Sequence, residues 1–203
     1  RALAALDQLS VTRWAGAMTA REARAIGVNW VFAPVADLDL LPSNPIVQTR
    51  AFAAEPELAS RHVAAWIEGC QGQGALACAK HYPGHGRTSA DSHITLPMVD
   101  ASLEELAVDR RPFRAAIGAG VVSMMTAHVG YPALDPSGLP ATLSKPILDG
   151  LRDDGFDGLV VTDALIMEGA HIGRTEADAA VDALAAGADI LLYPTDTSAV
   201  VKA

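Results

Sequence analysis

Five short apolar runs, separated by stretches with helical spacing, constrain this chain more than any other feature. They are Asn29–Leu38, Ala75–Ala79, Val121–Val129, Gly158–Thr162 and Asp189–Tyr193. A strand with one face in water alternates polar and apolar residues, whereas one that is apolar on both faces has to be covered on both. That is the situation of a parallel sheet wrapped by helices, so the class is α/β. The intervening segments supply the helices. Residues 15–27 are rich in alanine, with Met18, Ala25 and Ile26 on one side and Gly27 as the stop. Pro56 opens a helix at a first-turn position, with Leu58, Val63, Trp66, Ile67 and Cys70 at three-to-four spacing. Ser102 and Glu105 form a capping box for a helix running through Phe113 and Ile117, with a bend at Pro112, and 145–153 and 176–186 complete the set.

Two architectures satisfy this alternation. An open doubly wound sheet announces itself by a glycine-rich turn of the form G-x-G-x-x-G after an early strand, and the chain has none. A (β/α)8 TIM-type barrel is the other, and there the residues that act lie at the C-terminal ends of several strands. Those ends carry Asp37, Lys80 with His81, His128 and Asp163. The chain has 203 residues and five strands, whereas a full barrel takes about 250 residues and eight strands. The expectation is therefore an incomplete barrel, a single catalytic domain over 1–203 that lacks its N-terminal strands.

Composition narrows the partners. Fifteen basic residues scattered among 24 acidic ones give a net charge of −9, the wrong balance for phosphate contacts, so no nucleic acid is expected. Cys70 and Cys78 form no C-x-x-C pair and read as buried thiols. No apolar run reaches the ~18 residues of a membrane span.

The densest polar segment is K-H-Y-P-G-H-G-R-T-S-A-D-S-H, Lys80 to His93. Three histidines, a carboxylate and two cations directly after a buried strand are costly unless they serve one another or a ligand. Asp91 and His93 stand two apart, so in an extended segment the carboxylate could accept the imidazole N–H and tune its basicity. His81, His85, Asp91 and His93 could alternatively hold a metal, although Pro83, Gly84 and Gly86 argue against the helix that a four-residue histidine spacing normally requires. Asp163 is placed for a nucleophile or general base, and Arg50 for hydroxyl or carboxylate recognition.

Taken together, A-K-H-Y-P-G-H-G-R-T-S-A-D-S-H-I-T-L-P, the upstream F-A-P-V-A-D and the downstream F-D-G-L-V-V-T-D-A-L-I-M-E-G-A resemble glycoside hydrolase family 3. The D-S-H triplet is similar to the bacterial β-N-acetylglucosaminidases of that family. The resemblance runs from about Gly27 to Ala188. It implies that Asp163 is the catalytic nucleophile, that His93 is the general acid/base with Asp91 as its dyad partner, and that Arg50, Lys80 and His81 bind the sugar. It also implies a carbohydrate substrate, a retaining mechanism, and no metal or other cofactor. Family 3 β-glucosidases and β-xylosidases generally lack D-S-H here, which favours an exo-acting β-N-acetylhexosaminidase working on cell-wall muropeptides or chitin-type oligosaccharides. The family's D-x-E-G-G segment ahead of the first visible strand has no counterpart in this chain. That gap gives weight to an inactive carbohydrate-binding remnant, and a family 3 β-glucosidase or β-xylosidase is the other alternative beside the hexosaminidase.

Overall fold

The computed structural model describes residues 1–171 and 173–203. After a short helix α1 (Ala2–Leu6), helix α2 (Leu9–Ala25) leads to strand β1 (Trp30–Val31), and helix α3 (Pro56–Gln71) to strand β2 (Leu76–Tyr82). Helices α4 (Leu103–Asp109) and α5 (Arg111–Gly118) precede β3 (Ser123–Thr126), and α6 (Lys145–Asp153) precedes β4 (Leu159–Ala164). Helix α7 (Glu176–Ala186), strand β5 (Ile190–Leu192) and helix α8 (Thr197–Lys202) finish the chain. The five strands are all parallel and lie side by side in chain order, β1 to β5. This is a curled half-barrel, as the unalternating apolar runs predicted.

Alternation along each strand divides the sheet into two faces. Ala77, Ala79, Met124 and Val160 point into the main core, shared with Val63, Ile67, Phe113 and other helix residues. Cys78, Met125 and Val161 pack together on the opposite face, flanked by half-buried Trp30, Phe32, Ile190 and Leu192. Two residues beyond Cys78 stands Lys80, and two beyond Val161 stands Asp163, so period two carries this inner face onto the candidate residues at the strand ends.

The elements differ from expectation where tertiary contacts override local signals. Helix α2 begins at Leu9, earlier than the alanine-rich stretch suggested, and buried Thr12 in its first turns bonds His62 Nδ1 at 2.7 Å. Pro112 does more than bend its helix. The segment breaks at Arg110 into α4 and α5, with the proline in the first turn of the second, where its missing N–H costs nothing. The run Asn29–Leu38 pairs as a strand only at Trp30 and Val31, and past Pro34, which has no N–H to donate, contact with β2 continues as a bridge from Val35 to Lys80.

Candidate active site

The C-terminal ends of β2 and β4 frame a cavity of about 220 Å³. Arg50, Lys80, His81, His93 and Asp163 all line it, so five of the six candidate residues meet around one space. The sixth, Asp91, stands behind His93. Ile46, His85, Ser92 and Met167 complete the wall.

Strand β2 extends past Ala79, where its apolar run ends, to include Lys80 and His81. Neighbouring strand residues normally face opposite ways, but here the ladder with β3 shifts register between Lys80 and Tyr82. Such an irregularity re-aims a side chain, and both Lys80 and His81 reach the cavity. The Lys80–His81 peptide bond is cis. Gly86 allows the following loop to lie against the end of the first apolar run, since a Cβ there would fall 2.0 Å from the Leu38 carbonyl oxygen.

Asp37 forms the floor. It is buried, and its carboxylate accepts the His81 backbone N–H at 3.1 and 3.2 Å, the His81 ring Nδ1–H at 2.7 Å and the His85 backbone N–H at 2.6 Å. Burial alone would push its pKa up, but the His81 ring and these donors hold it below the usual carboxylate value. An ionised Asp37 has no proton to give, so Nδ1 carries the hydrogen and Nε2 is turned to the site, 3.9 Å from Asp163 Oδ2.

Asp163 Oδ1 accepts the Ala164 N–H at 2.8 Å. Burial opposes its ionisation, yet the His81 and His128 rings, the Ala164 N–H and Lys80 together keep its pKa below the ordinary value. It is therefore an anion at the cavity wall, with its second oxygen facing the space. Burial, and next the Arg50 charge, lower the pKa of Lys80. Arg50 comes from the short 3-10 turn Gln48–Arg50 and donates to the Ile46 carbonyl at 3.1 Å. Behind Asp163, buried His128 donates Nε2–H to the Ala164 carbonyl at 3.1 Å and meets Thr142 Oγ1 through Nδ1 at 2.8 Å.

The Asp91–His93 contact foreseen at two-residue spacing is present, but a turn makes it instead of an extended segment. Asp91 Oδ1 accepts both the backbone N–H of His93 at 2.8 Å and its ring Nδ1–H at 2.6 Å. The backbone bond is the largest cause of a lowered Asp91 pKa. With Nδ1 engaged, Nε2 is the nitrogen left for proton exchange. The metal reading does not assemble: Asp37 occupies His81 Nδ1, both ring nitrogens of His85 bond hydroxyls, and among the described residues no three His, Cys, Asp or Glu side chains converge as a cage. Sequence reasoning gave Asp37 and His128 only as strand ends, and Ser92 no role. Asp37 meets His81 from 44 residues away, His128 meets the Ala164 carbonyl from 36, and the seven-residue step from His85 to Ser92 crosses a loop without helix or strand period, so no local spacing signals them.

The profile of the glycosyl hydrolase family 3 N-terminal domain matches residues 1–203. A protein of Cellulomonas fimi named β-N-acetylglucosaminidase/β-glucosidase is 38% identical over 204 residues, covering 95% of this chain and 36% of that protein. A β-hexosaminidase of Pseudomonas aeruginosa is 41% identical over 184 residues, covering 89% of this chain and 54% of its own length. Among solved structures, a family 3 β-N-acetylglucosaminidase from a Paenibacillus strain superposes with a TM-score of 0.92 at 40% identity, over 95% of this chain and 37% of that one. This chain thus spans about a third to a half of the length of these relatives. Its fold, its strand-end residues and these matches agree that the chain belongs to glycoside hydrolase family 3.

Proposed function

We propose that the site serves a retaining, exo-acting β-N-acetylhexosaminidase that releases terminal β-linked N-acetylglucosamine from muropeptides or chitin-type oligosaccharides. The observation that carries this reading is the sharing of one cavity by an ionised Asp163 and by His93, whose Nδ1 is held by Asp91. In the first step an Asp163 oxygen attacks the anomeric carbon while the glycosidic C–O bond breaks, and the departing oxygen takes the proton from His93 Nε2. In the second, neutral His93 takes a proton from water, whose oxygen displaces Asp163 and restores the β configuration. Most retaining glycosidases use a second carboxylate for the proton work. An imidazole suits that work because it can both give and take a proton in the physiological range. Lys80, His81 and Arg50 bind the sugar hydroxyls.

Names of relatives support the sugar class and also supply the rival, since the Cellulomonas protein's name includes β-glucosidase. Turnover of aryl β-N-acetylglucosaminide and aryl β-glucoside, with the anomer of the product followed by NMR, tests the proposal. The expected result is cleavage of the N-acetylated substrate with β product released first. Cleavage of the glucoside alone would overturn the sugar assignment, and α product would overturn the mechanism. Asp163→Ala is expected to lower turnover by about 10³-fold or more while leaving the fold in place, and substantial residual turnover would remove Asp163 from the nucleophile role. Sugar binding without turnover by the unaltered protein would favour the carbohydrate-binding remnant.

A further inference from the structure

The residues from Arg87 to Pro97 form no helix or strand, yet they carry the Asp91–His93 pair, and the His93 side chain is 62% exposed. Something has to hold this loop against the cavity if His93 is to meet a glycosidic oxygen repeatedly. Between the two dyad residues stands Ser92, which is only 2% exposed. Its hydroxyl lies 3.2 Å from His85 Nε2, and its carbonyl accepts the Gly169 N–H at 3.1 Å. His85 is itself fixed on every side. Its ring Nδ1 meets Thr88 Oγ1 at 2.7 Å, its carbonyl accepts Asn44 Nδ2–H at 2.8 Å, and its backbone N–H donates to Asp37. The ring stands edge-on to His81, with centroids 5.7 Å apart.

We propose that Ser92 and His85 are positioning residues, a latch that holds the dyad loop over the floor built by Asp37 and His81. Burial lowers the pKa of His85, so the ring is neutral, with one nitrogen donating and the other accepting. The Thr88 hydroxyl donates to the His85 carbonyl at 3.1 Å, so it accepts from Nδ1–H, and Nε2 is left to accept from the Ser92 hydroxyl. Gly169 provides the second tether on the β4 side. A Cβ there would lie 2.8 Å from the Ser92 carbonyl oxygen and 3.1 Å from His128 Cβ, so the approach of the two loops requires glycine. Asp91 orients the His93 ring, and the latch sets where that ring stands relative to Asp163.

The inference rests on His93 being the proton donor, and the test separates the two. An activated nitrophenolate departs without a proton, whereas an alkyl or sugar alkoxide needs one. Ser92→Ala leaves a small buried side chain and is expected to lower kcat/KM for an alkyl or disaccharide substrate by about 10- to 100-fold. Its effect on a dinitrophenyl glycoside in the glycosylation step should be within about threefold. Ser92→Thr should recover most of the loss. His93→Ala should show the same leaving-group dependence, more steeply, and the double variant should be no worse than His93→Ala alone. If His93→Ala depends on the leaving group and Ser92→Ala does not, the latch is overturned and the acid/base assignment stands. If His93→Ala is itself insensitive to the leaving group, the acid/base assignment fails and the latch with it.

Discussion

Asp37 illustrates how much of this site depends on a residue that never touches the cavity. One carboxylate collects three N–H groups from two histidines, fixes the His81 tautomer and anchors the start of the glycine-rich loop. Asp37→Asn replaces an acceptor pair by one acceptor and one donor, so a donor must face a donor in a dry interior. Leaving a buried charge-assisted pair broken costs about 3 kcal/mol, and chemical denaturation should register a loss of that order. If His81 binds the sugar as proposed, turnover should fall at least about tenfold as well, because its Nε2 would no longer be turned to the cavity. An Asn variant with unaltered kinetics would show that the tautomer is irrelevant. The six candidate residues were legible because their motifs are local and ordered along the chain. The Asp37–His81 pairing was not, for the two stand 44 positions apart and the Val35–Lys80 bridge beyond β1 is what brings them together.

At the scale of elements, the tightest joint is between α2 and α3. A Cβ on Gly16 would lie 2.3 Å from the Trp66 carbonyl oxygen, and one on Gly69 would lie 2.0 Å from that of Arg13. Each helix therefore uses a glycine to let the other's backbone approach. Gly16→Ala and Gly69→Ala should each destabilise by about 1–3 kcal/mol through overpacking, read as a lowered urea midpoint. Gly118→Ala at the end of α5 is the control, because nothing lies within 4 Å of the added Cβ, and it should be neutral or slightly stabilising. Most elements were legible from spacing and caps, among them the Pro56 start of α3 and the Ser102–Glu105 box of α4. How far β2 and β4 extend was not. Their apolar runs stop at Ala79 and Thr162, whereas Lys80 pairs with Met125 of β3 and Ala164, just past Asp163, pairs with Leu192 of β5, and no local pattern encodes either pairing.

For the whole molecule, two buried histidines set the acid response. Burial lowers the pKa values of both His85 and His128. The unfolded chain therefore binds protons near ~6.5 that the folded one refuses. Their contribution to stability is complete above that value and is lost as pH falls through it towards the lower folded values. Asp37 and Asp163, with lowered pKa values, lose theirs only further down, below the unfolded carboxylate value near ~3.9. Denaturation midpoints should accordingly decline from pH 7 to 5 and again below pH 4, and a flat profile from 7 to 5 would contradict the neutral histidines. The sheet is open at β1 and β5, with half-buried Trp30, Phe32, Ile190 and Leu192 on its inner face. Such edges template further pairing, so the 203-residue chain should associate as its concentration rises, seen by light scattering, and a scattering mass that stays that of one chain at every concentration would contradict that. The order of the strands bears on synthesis. Because each of these five strands lies beside the one made just before it, none of them has to be threaded between neighbours already formed. The sheet can grow from one side as the chain leaves the ribosome, and its exposed margin moves with the newest strand.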